Sequence, residues 1–452
     1  ASDRWGASLM FLRLERDLAA RGRSTIRRSF ASGIERDTVM ISSVINTLAV
    51  GRAWLGALAV LSWAQAQQLK QNVIVRNAAA AACVAGAEWA RAWRLLAESS
   101  KLTIRRDVIS YSTPIVEHVL QWQLVLALLG QVPCAGVGLD VVLFSAGILE
   151  CCSAKRWPWA LELHREVARN SRTRDLRSCG RLLMECEQQG RIGSEISILL
   201  DVGSAGGDVF LRAHADDKGD GRVLASWLHA AARNAAALRA AVSDPEARRS
   251  GLLRIDPLSF RSATQDAGLR FAPMRAPHAK ELHLLGYVIG AAVPGDALSI
   301  CAAVERYSTD VWWLKVAGGA KARVISAACR GAASGRGGVL ELGAYCGYSA
   351  IRIATAVPGV RVASVDVDPV CVVVARNMVA LAGLSKAVDV WTGHTKELLP
   401  RFALPSRRDR ALSVGPFAAC LLDHRGSLYA DDLASLEHLG LLAPPPAGPG
   451  RI

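Results

Sequence analysis

The sequence lacks cysteine pairs with a metal-binding spacing, although it contains 11 cysteines. No two of them have the spacing of a CxxC motif, and the neighbours Cys151 and Cys152 are not placed like ligands of a zinc knuckle. Zinc-knuckle and disulfide-framework proteins are therefore disfavoured. We expect reduced, mostly buried thiols in an intracellular chain.

A concentrated block of basic charge is also lacking. The formal net charge is +14, and it divides into +7 for residues 1–202, +3 for 203–275 and +4 for 276–452. Because the excess is spread along the chain, charge alone favours RNA binding only weakly. Hydrophobic residues make up 51% of the sequence and charged residues 21%, which predicts two or three globular domains rather than a disordered chain.

The sequence has no apolar run that is free of polar interruptions over a membrane-spanning length. An uncharged run at residues 122–139 contains Gln123, Gln131 and Pro133, so it predicts a buried helix and a loop and no membrane contact. The start ASDRWGAS and the proline-rich end APPPAGPGRI are typical of a fragment, in which we expect no visible targeting segment.

A strand, a glycine-punctuated turn and a helix are present in residues 339–354, VLELGAYCGYSAIRIA. The apolar residues predict a buried parallel strand, and the glycines predict a tight turn that approaches a ligand closely. Glu341 in this strand is costly to bury unless a ligand hydroxyl or cation meets it. A second strand, residues 361–369, places Asp366 where ribose hydroxyls would bind. The pattern predicts a nucleoside-binding site.

Four segments, VLELGAYCGYSAIRIA, SVDVDP, TGHTKELLP and LLDH, resemble the S-adenosylmethionine-binding motifs of the catechol O-methyltransferase family. Residues 280–325 are similar to the N-terminal helices of that family, so the resemblance covers about residues 277–442. It implies an α/β Rossmann-like methyltransferase fold with an incomplete sheet over 276–452. The implied activity is magnesium-assisted methyl transfer from S-adenosylmethionine to a catechol-type hydroxyl of a small-molecule acceptor.

The resemblance also implies positions for the methyl donor. Glu341 and Asp366 would hold nucleoside hydroxyls or the cationic end of the donor, and Ser349 would meet its methionine carboxylate, although Ser349 is also a plausible helix cap. The implied donor-binding residues are Ala317, Glu341, Gly343, Tyr345, Ser349, Asp366, Val367, Gly393, Thr395, Lys396, Asp423 and His424. Asp423 is in addition the implied Mg²⁺ ligand.

The sequence departs from the family after Asp423. Gly426 stands where the family has a lysine base, and Arg425 replaces a tryptophan, so we predict no catalytic residue here. The Asp-Asn pair that completes the metal site in the family has no counterpart before the end of this sequence. We therefore expect the strand at residues 418–422 to form an uncovered apolar edge that is prone to aggregation.

The first part of the chain is repetitive. An acidic or amide residue recurs at intervals of 35, 35, 33 and 35 positions, as Asp37, Asn72, Asp107, Asp140 and Asp175. A tryptophan recurs at intervals of 35, 33 and 35 positions, as Trp54, Trp89, Trp122 and Trp157. Each unit reads as a helix, a turn containing the tryptophan and a second helix. This period predicts an all-α solenoid of helix-turn-helix repeats.

These repeats resemble pentatricopeptide repeats, with four units between Thr38 and Asp175, a weaker fifth at 176–201, and a linker or degenerate repeat at 203–275. The solenoid would occupy residues 1–202. The resemblance implies that two positions of each unit read a base of single-stranded RNA. The implied RNA-binding residues are Ser42, Asn72, Asn77, Asp107, Ser112, Asp140, Ser145 and Asp175. Helix capping explains the Asp and Asn series equally well, and the tryptophans favour inter-helix packing over base stacking.

Two functions therefore stand side by side. One is an O-methyltransferase fused to an RNA-binding array, and the other is an RNA-binding repeat protein with an inactive methyltransferase remnant. The repeat resemblance is compatible with an organellar location.

Overall fold

The computed structural model describes residues 38–67, 72–86, 88, 90–92, 94–95, 98, 122–131, 141–170, 175–213, 220–242, 277–332, 337–403 and 416–443. The chain divides into two compact units, Ala1–Ser171 and Arg172–Ile452. The division places the predicted fifth repeat unit, residues 176–201, in the second unit.

The first unit is helical in its described residues. Its helices are α1 (Thr38–Val50), α2 (Trp54–Ala66), α3 (Val73–Ala85), α4 (Trp122–Gln131), α5 (Val141–Ser153) and α6 (Trp157–Asn170). Helices α1 and α3, the first helices of the first two repeats, begin 35 residues apart, as predicted. The N-terminal fold prediction of paired helices is confirmed. Trp54, Trp122 and Trp157 are the first residues of second helices rather than turn residues.

Helices α1, α2 and α3 share one hydrophobic core. Ile45 of α1, Leu61 of α2 and Ala79 of α3 are buried in it. Trp54 of α2 packs against a second cluster, which includes Ala80, Cys83 and Val84 of α3. A Cβ on Gly86, just after α3, would lie 2.3 Å from the Cδ1 atom of Trp54. The predicted inter-helix role of this tryptophan is thus observed.

None of the described helices is long and apolar enough to cross a membrane, and α4, within the uncharged run, has only 10 residues.

The second unit begins with helices and continues into a sheet. The helices are α7 (Leu176–Gln188), α8 (Ile192–Ala213), α9 (Asp220–Val242), α10 (Ala279–Ala291), α11 (Ala297–Asp310), α12 (Gly319–Ala332), α13 (Tyr348–Ala356), α14 (Pro369–Leu381), α15 (Thr395–Phe402) and α16 (Tyr429–His438). The strands are β1 (Gly338–Leu342), β2 (Val362–Asp366), β3 (Val388–Thr392) and β4 (Phe417–Leu422). The predicted α/β class is confirmed.

Helices α8 and α9 occupy much of the stretch at 203–275 for which we predicted a linker or a degenerate repeat. The glycines of α8 bring the two helices together, since a Cβ on Gly206 would lie 2.2 Å from Leu228 Cδ2 and one on Gly203 2.9 Å from Ala232 Cβ. The described part of this stretch is therefore a packed helical pair, as in a repeat.

The four described strands are parallel and lie in the order β3-β2-β1-β4. Side chains alternate between the two faces of the sheet. On one face, Leu340, Val365 and Trp391 form a core with residues of α15 and α16. On the other face, Glu341 of β1 lies opposite Ser364 of β2. All four strands end at the same edge, where parallel α/β sheets bind ligands.

Strand β4 is the last in the described sheet order. Phe417 at its start is buried and exchanges backbone hydrogen bonds with Leu441 and Ala443, while the residues that follow it in β4 are only half-buried. The predicted strand at 418–422 is present and is incompletely covered within the described residues.

Candidate functional site

The glycine-punctuated turn links β1 to α13. Gly343 and Gly347 have φ angles of 109° and 82°, which favour glycine, and Tyr345 between them has a φ of 47°. A Cβ on Gly343 would lie 2.8 Å from the carbonyl oxygen of Asp423, so β4 approaches too closely for a side chain. Gly347 directly precedes α13. The free N–H groups of the first turn of α13 can therefore bind an anionic group.

Asp366 ends β2 and binds this turn. Its Oδ2 accepts a hydrogen bond from the N–H of Tyr345 at 2.8 Å, and its Oδ1 accepts one from the N–H of Asp368 at 2.9 Å. Burial raises the pKa of Asp366 to about 6 against the opposing effect of these N–H groups. The carboxyl lies at the carboxyl end of the strand, where the sequence predicted it.

Glu341 is fully buried in β1. Its Oε2 accepts a hydrogen bond from the hydroxyl of Ser364, and its Oε1 has no hydrogen-bond partner among the described residues. Burial raises the pKa of Glu341 to about 7, while the hydroxyls of Ser349 and Ser364 act in the opposite direction. A buried oxygen without a partner is costly, so this carboxyl fits a site that a ligand completes.

Asp432 connects two of the predicted donor-binding residues. Its Oδ1 accepts a hydrogen bond from the hydroxyl of Thr395 at 2.7 Å, and its Oδ2 lies 2.6 Å from Nε2 of His424. Asp432 is buried on α16. Sequence reasoning missed it, since two acids in the first turn of a helix are an ordinary pattern.

Asp423 follows β4 and is paired with a lysine. Nζ of Lys321 lies 3.0 Å from Asp423 Oδ1. The lysine pairs with one of the two carboxylate oxygens and its side chain is mostly exposed, so the magnesium role of Asp423 stays a prediction. Lys321 lies 102 residues away along the chain, and no local signal in the sequence pointed to it.

Two other predicted positions, Ala317 and Lys396, lie outside these hydrogen-bonded groups in the described residues, whereas the backbone N–H of Val367 interacts with the carboxyl of Asp366. Ala317 is buried in the segment before α12, and Lys396 and Val367 are exposed. Position 393 requires a glycine for steric reasons, because a Cβ there would lie 2.6 Å from Sδ of Met184 in α7. Its N–H donates a hydrogen bond to the carbonyl oxygen of Asp366 at 2.8 Å.

The structure gives a partial view of the predicted RNA-binding residues. Asn72 and Asp175 are the N-caps of α3 and α7, where they accept hydrogen bonds from the N–H groups of Val75 and Ser178. The capping alternative is thus observed at both positions, and base reading stays a prediction. Asn77 is buried, whereas Ser42 and Ser145 are half-buried. Asp107, Ser112 and Asp140 lie outside the described residues.

Helix α7 holds the end of β3 with a buried carboxylate that the sequence did not single out. Glu187 accepts hydrogen bonds from Arg376 Nη2 at 2.7 Å, from the N–H of Thr392 at 2.8 Å and from the hydroxyl of Thr392 at 2.9 Å. Burial raises the pKa of Glu187, and Arg376 opposes that effect. Glu185 of the same helix binds Arg401 of α15. Helix α7 therefore supports the two elements that flank Gly393.

The sheet order, the turn after β1 and the carboxyls at the strand ends are typical of α/β domains that bind nucleoside-like ligands. Residues 332–409 match the family model described as O-methyltransferase. Catechol O-methyltransferase of Bos taurus is 33% identical over 164 residues, which are 36% of this chain and 57% of that protein. Transmembrane O-methyltransferase of Homo sapiens is 34% identical over 170 residues, which are 37% of this chain and 55% of that protein.

The C-terminal part of the chain is thus similar to the O-methyltransferase family and to catechol O-methyltransferase over the matched residues, as the sequence predicted. The chain spans less than two thirds of the length of these curated relatives. Among solved structures, the pentatricopeptide repeat protein PPR10 from maize covers 93% of this chain and 66% of its own, with a TM-score of 0.34 and 11% identity. The helical-repeat assignment rests on the described helices, because a similarity at this score adds no argument.

Proposed function

We propose that the C-terminal part of the chain binds S-adenosylmethionine and transfers its methyl group to a hydroxyl of a small catechol-type acceptor. The observation that carries the proposal is Oε1 of Glu341, which is buried and has no hydrogen-bond partner in the described residues. A cationic or hydrogen-donating group of a ligand would satisfy it.

The residues around the strand ends would position the donor. When bound, S-adenosylmethionine supplies an electrophilic methyl group on a sulfonium. Asp366 would accept from the ribose hydroxyls, and Ser349, with the first N–H groups of α13, would hold the carboxylate. Because methyl transfer is an in-line displacement, placing the reacting atoms in contact is the main task of these residues.

The proposal contains no magnesium step, because the one implied ligand, Asp423, is paired with Lys321. It contains no protein base either, since Gly426 has no side chain that could accept a proton. The acceptor hydroxyl would therefore lose its proton to solvent.

Titration calorimetry with S-adenosylmethionine tests donor binding. We expect Asp366→Ala to abolish or strongly weaken binding, whereas Asp389→Ala, on the exposed pair with Arg361, should bind like the wild type. Equal affinities of wild type and Asp366→Ala would contradict the proposal. A second assay, transfer of a labelled methyl group to catechol, separates turnover from donor binding without turnover.

A second candidate function is single-stranded RNA binding by the helical repeats, with the methyltransferase part as an inactive remnant. The paired helices of the predicted period, α1/α2 and α5/α6, support it. An array of four or five units would read few bases, so we expect modest, salt-sensitive affinity for RNA.

The free cysteines of the described residues support an intracellular, reducing location.

A gel-shift series with short single strands at low salt tests this function. Asn72→Asp is the informative variant, because it keeps an oxygen that caps α3 but replaces the amide donor that a base edge would meet. A changed base preference supports base reading. If no strand is retarded by the wild type at low salt, the RNA-binding candidate fails.

A further inference from the structure

Three potential metal ligands converge on the side of the second unit where α10 and α14 begin. His278 directly precedes α10, Asp368 is the N-cap of α14, and Cys371 lies in the first turn of α14. One ligand atom of each of the three side chains lies within 4.8 Å of the others. Local sequence reading did not single out these residues, since His278 is 90 positions from Asp368.

The two oxygens of Asp368 have separate roles. Oδ1 accepts hydrogen bonds from the N–H groups of Val370 at 2.9 Å and Cys371 at 3.3 Å, which fixes the carboxyl at the helix start. Oδ2 lies 3.4 Å from Nε2 of His278. This distance is long for a hydrogen bond. It matches the edge of a tetrahedron whose metal–ligand bonds are about 2.1 Å, which is roughly 3.4 Å.

We propose that His278, Asp368 and Cys371 bind a divalent metal ion of the zinc class. An imidazole, a carboxylate and a thiolate form the ligand set that Zn²⁺ prefers, whereas Mg²⁺ and Ca²⁺ require oxygen ligands. Three protein ligands leave the fourth tetrahedral position open to water or to a further ligand.

The charges of the site are compatible with such an ion. Two helices begin here, and their N-terminal ends alone would repel a cation. Burial and the nearby carboxylates of Asp366 and Asp368 raise the pKa of the Cys371 thiol, and the charge of a bound divalent ion would oppose that effect. With the ion bound, thiolate and carboxylate together would supply the two negative charges that balance it.

A nucleophilic Cys-His-Asp arrangement is the main chemical alternative for these side chains. Cys371 is only 8% exposed, so a substrate would have little access to its sulfur. A single metal ion bound inside the cluster requires no such access. Asp368 adjoins the proposed donor site, because its N–H donates to Asp366. None of the three ligands is assigned to the methyl donor, and metal binding is measured by absorbance, so the test does not depend on the proposed activity.

Cobalt titration of the full chain after treatment with a chelator tests the proposal, with Co²⁺ as an optical probe for the zinc site. We expect the visible bands of tetrahedral Co²⁺ and a thiolate-to-cobalt charge-transfer band, both removed when Zn²⁺ is added. Cys371→Ser should remove the charge-transfer band. His278→Ala should weaken Co²⁺ binding by about tenfold or more.

Cys420→Ser, on β4, is the matched control and should keep both bands. Circular dichroism identifies variants that do not fold. If Cys371→Ser does not fold, Asp368→Asn decides, because it keeps the Oδ1 acceptor of the helix cap but removes a charged ligand. Absence of a charge-transfer band in the wild type, or an unchanged band in the folded ligand variants, would overturn the proposal.

Discussion

At the scale of single residues, Glu341 combines full burial with a pKa of about 7, raised from 4.5 by desolvation. The folded state therefore holds this proton more tightly than the unfolded state, and stability falls as pH rises through the window from about 4.5 to 7. The wild type should lose unfolding free energy as the pH rises from acidic to mildly alkaline. Glu341→Gln should lose up to about 3 kcal/mol less over the same range. Denaturant unfolding of the ligand-free chain on both sides of the window measures it.

Two groups serve as controls for this prediction. Glu437→Gln, at an exposed position of α16, should leave the pH dependence unchanged. Asp366, whose pKa is also raised, to about 6, contributes a remaining pH dependence in both proteins. If Glu341→Gln shows the same loss of stability as the wild type, Glu341 is not the buried acid that the structure indicates.

The pair between Lys321 and Asp423 gives a prediction about magnesium. Because the ammonium group already neutralises this carboxylate at 3.0 Å, excess Mg²⁺ should change the affinity for S-adenosylmethionine by less than about twofold. Calorimetry with and without Mg²⁺ measures it. An increase of about tenfold would mean that Mg²⁺ displaces Lys321, and it would support the metal role implied by the resemblance.

Residues with a local signature could be predicted, and residues whose partners are remote could not. Gly343, Glu341 and Asp366 follow from one strand, one turn and the next strand. Lys321 and Glu187, in contrast, meet partners 102 and 189 positions away. Such pairings depend on how the helices pack in the folded chain, and the sequence around each residue does not indicate that packing.

At the scale of elements, α7 is attached to the sheet by a buried ion pair. Glu187 and Arg376 are both buried, and Glu187 also binds Thr392 at the end of β3. Glu187→Gln removes the nearer of the two buried carboxylates that face Arg376 and leaves Glu195 at 3.6 Å. We therefore expect a loss of about 3 kcal/mol in the free energy of unfolding of the second unit. Denaturant unfolding measures this loss.

The exposed pair of Arg361 and Asp389 provides the control for α7. Asp389→Asn should cost no more than about 1 kcal/mol, because exposed pairs contribute little. Replacing both Glu187 and Arg376 by apolar residues should cost less than the sum of the two single replacements. Additive costs would show that the two side chains do not interact.

Strands β1, β2 and β4 were predictable because buried parallel strands appear as short apolar runs between turns. Helix α8 was not, since its GSAGGD segment is rich in glycine, which disfavours an isolated helix. In the folded chain those glycines allow α9 to approach, as the contact of Gly206 with Leu228 shows. Close packing then outweighs the low helix propensity.

At the scale of the whole molecule, the helices α7, α8 and α9 belong to the same compact unit as the sheet. Three contacts illustrate this. Asn377 of α14 donates a hydrogen bond to the carbonyl oxygen of Ala231 in α9 at 2.9 Å. The rings of Trp227 and His283 lie 6.1 Å apart, and Arg401 binds Glu185. The part that resembles catechol O-methyltransferase thus has a helical support outside the resemblance.

A comparison of two fragments tests this support. The fragment 277–452 lacks Glu187 and Glu185, so Arg376 loses its buried partner and the end of β3 loses its cover, whereas 172–452 keeps both. We expect the shorter fragment to melt about 10 °C or more below the longer one, or to aggregate in size-exclusion chromatography. Equal melting temperatures of two monomeric fragments would show that the sheet folds without α7, and α7 would then be a neighbour of the domain rather than a part of it.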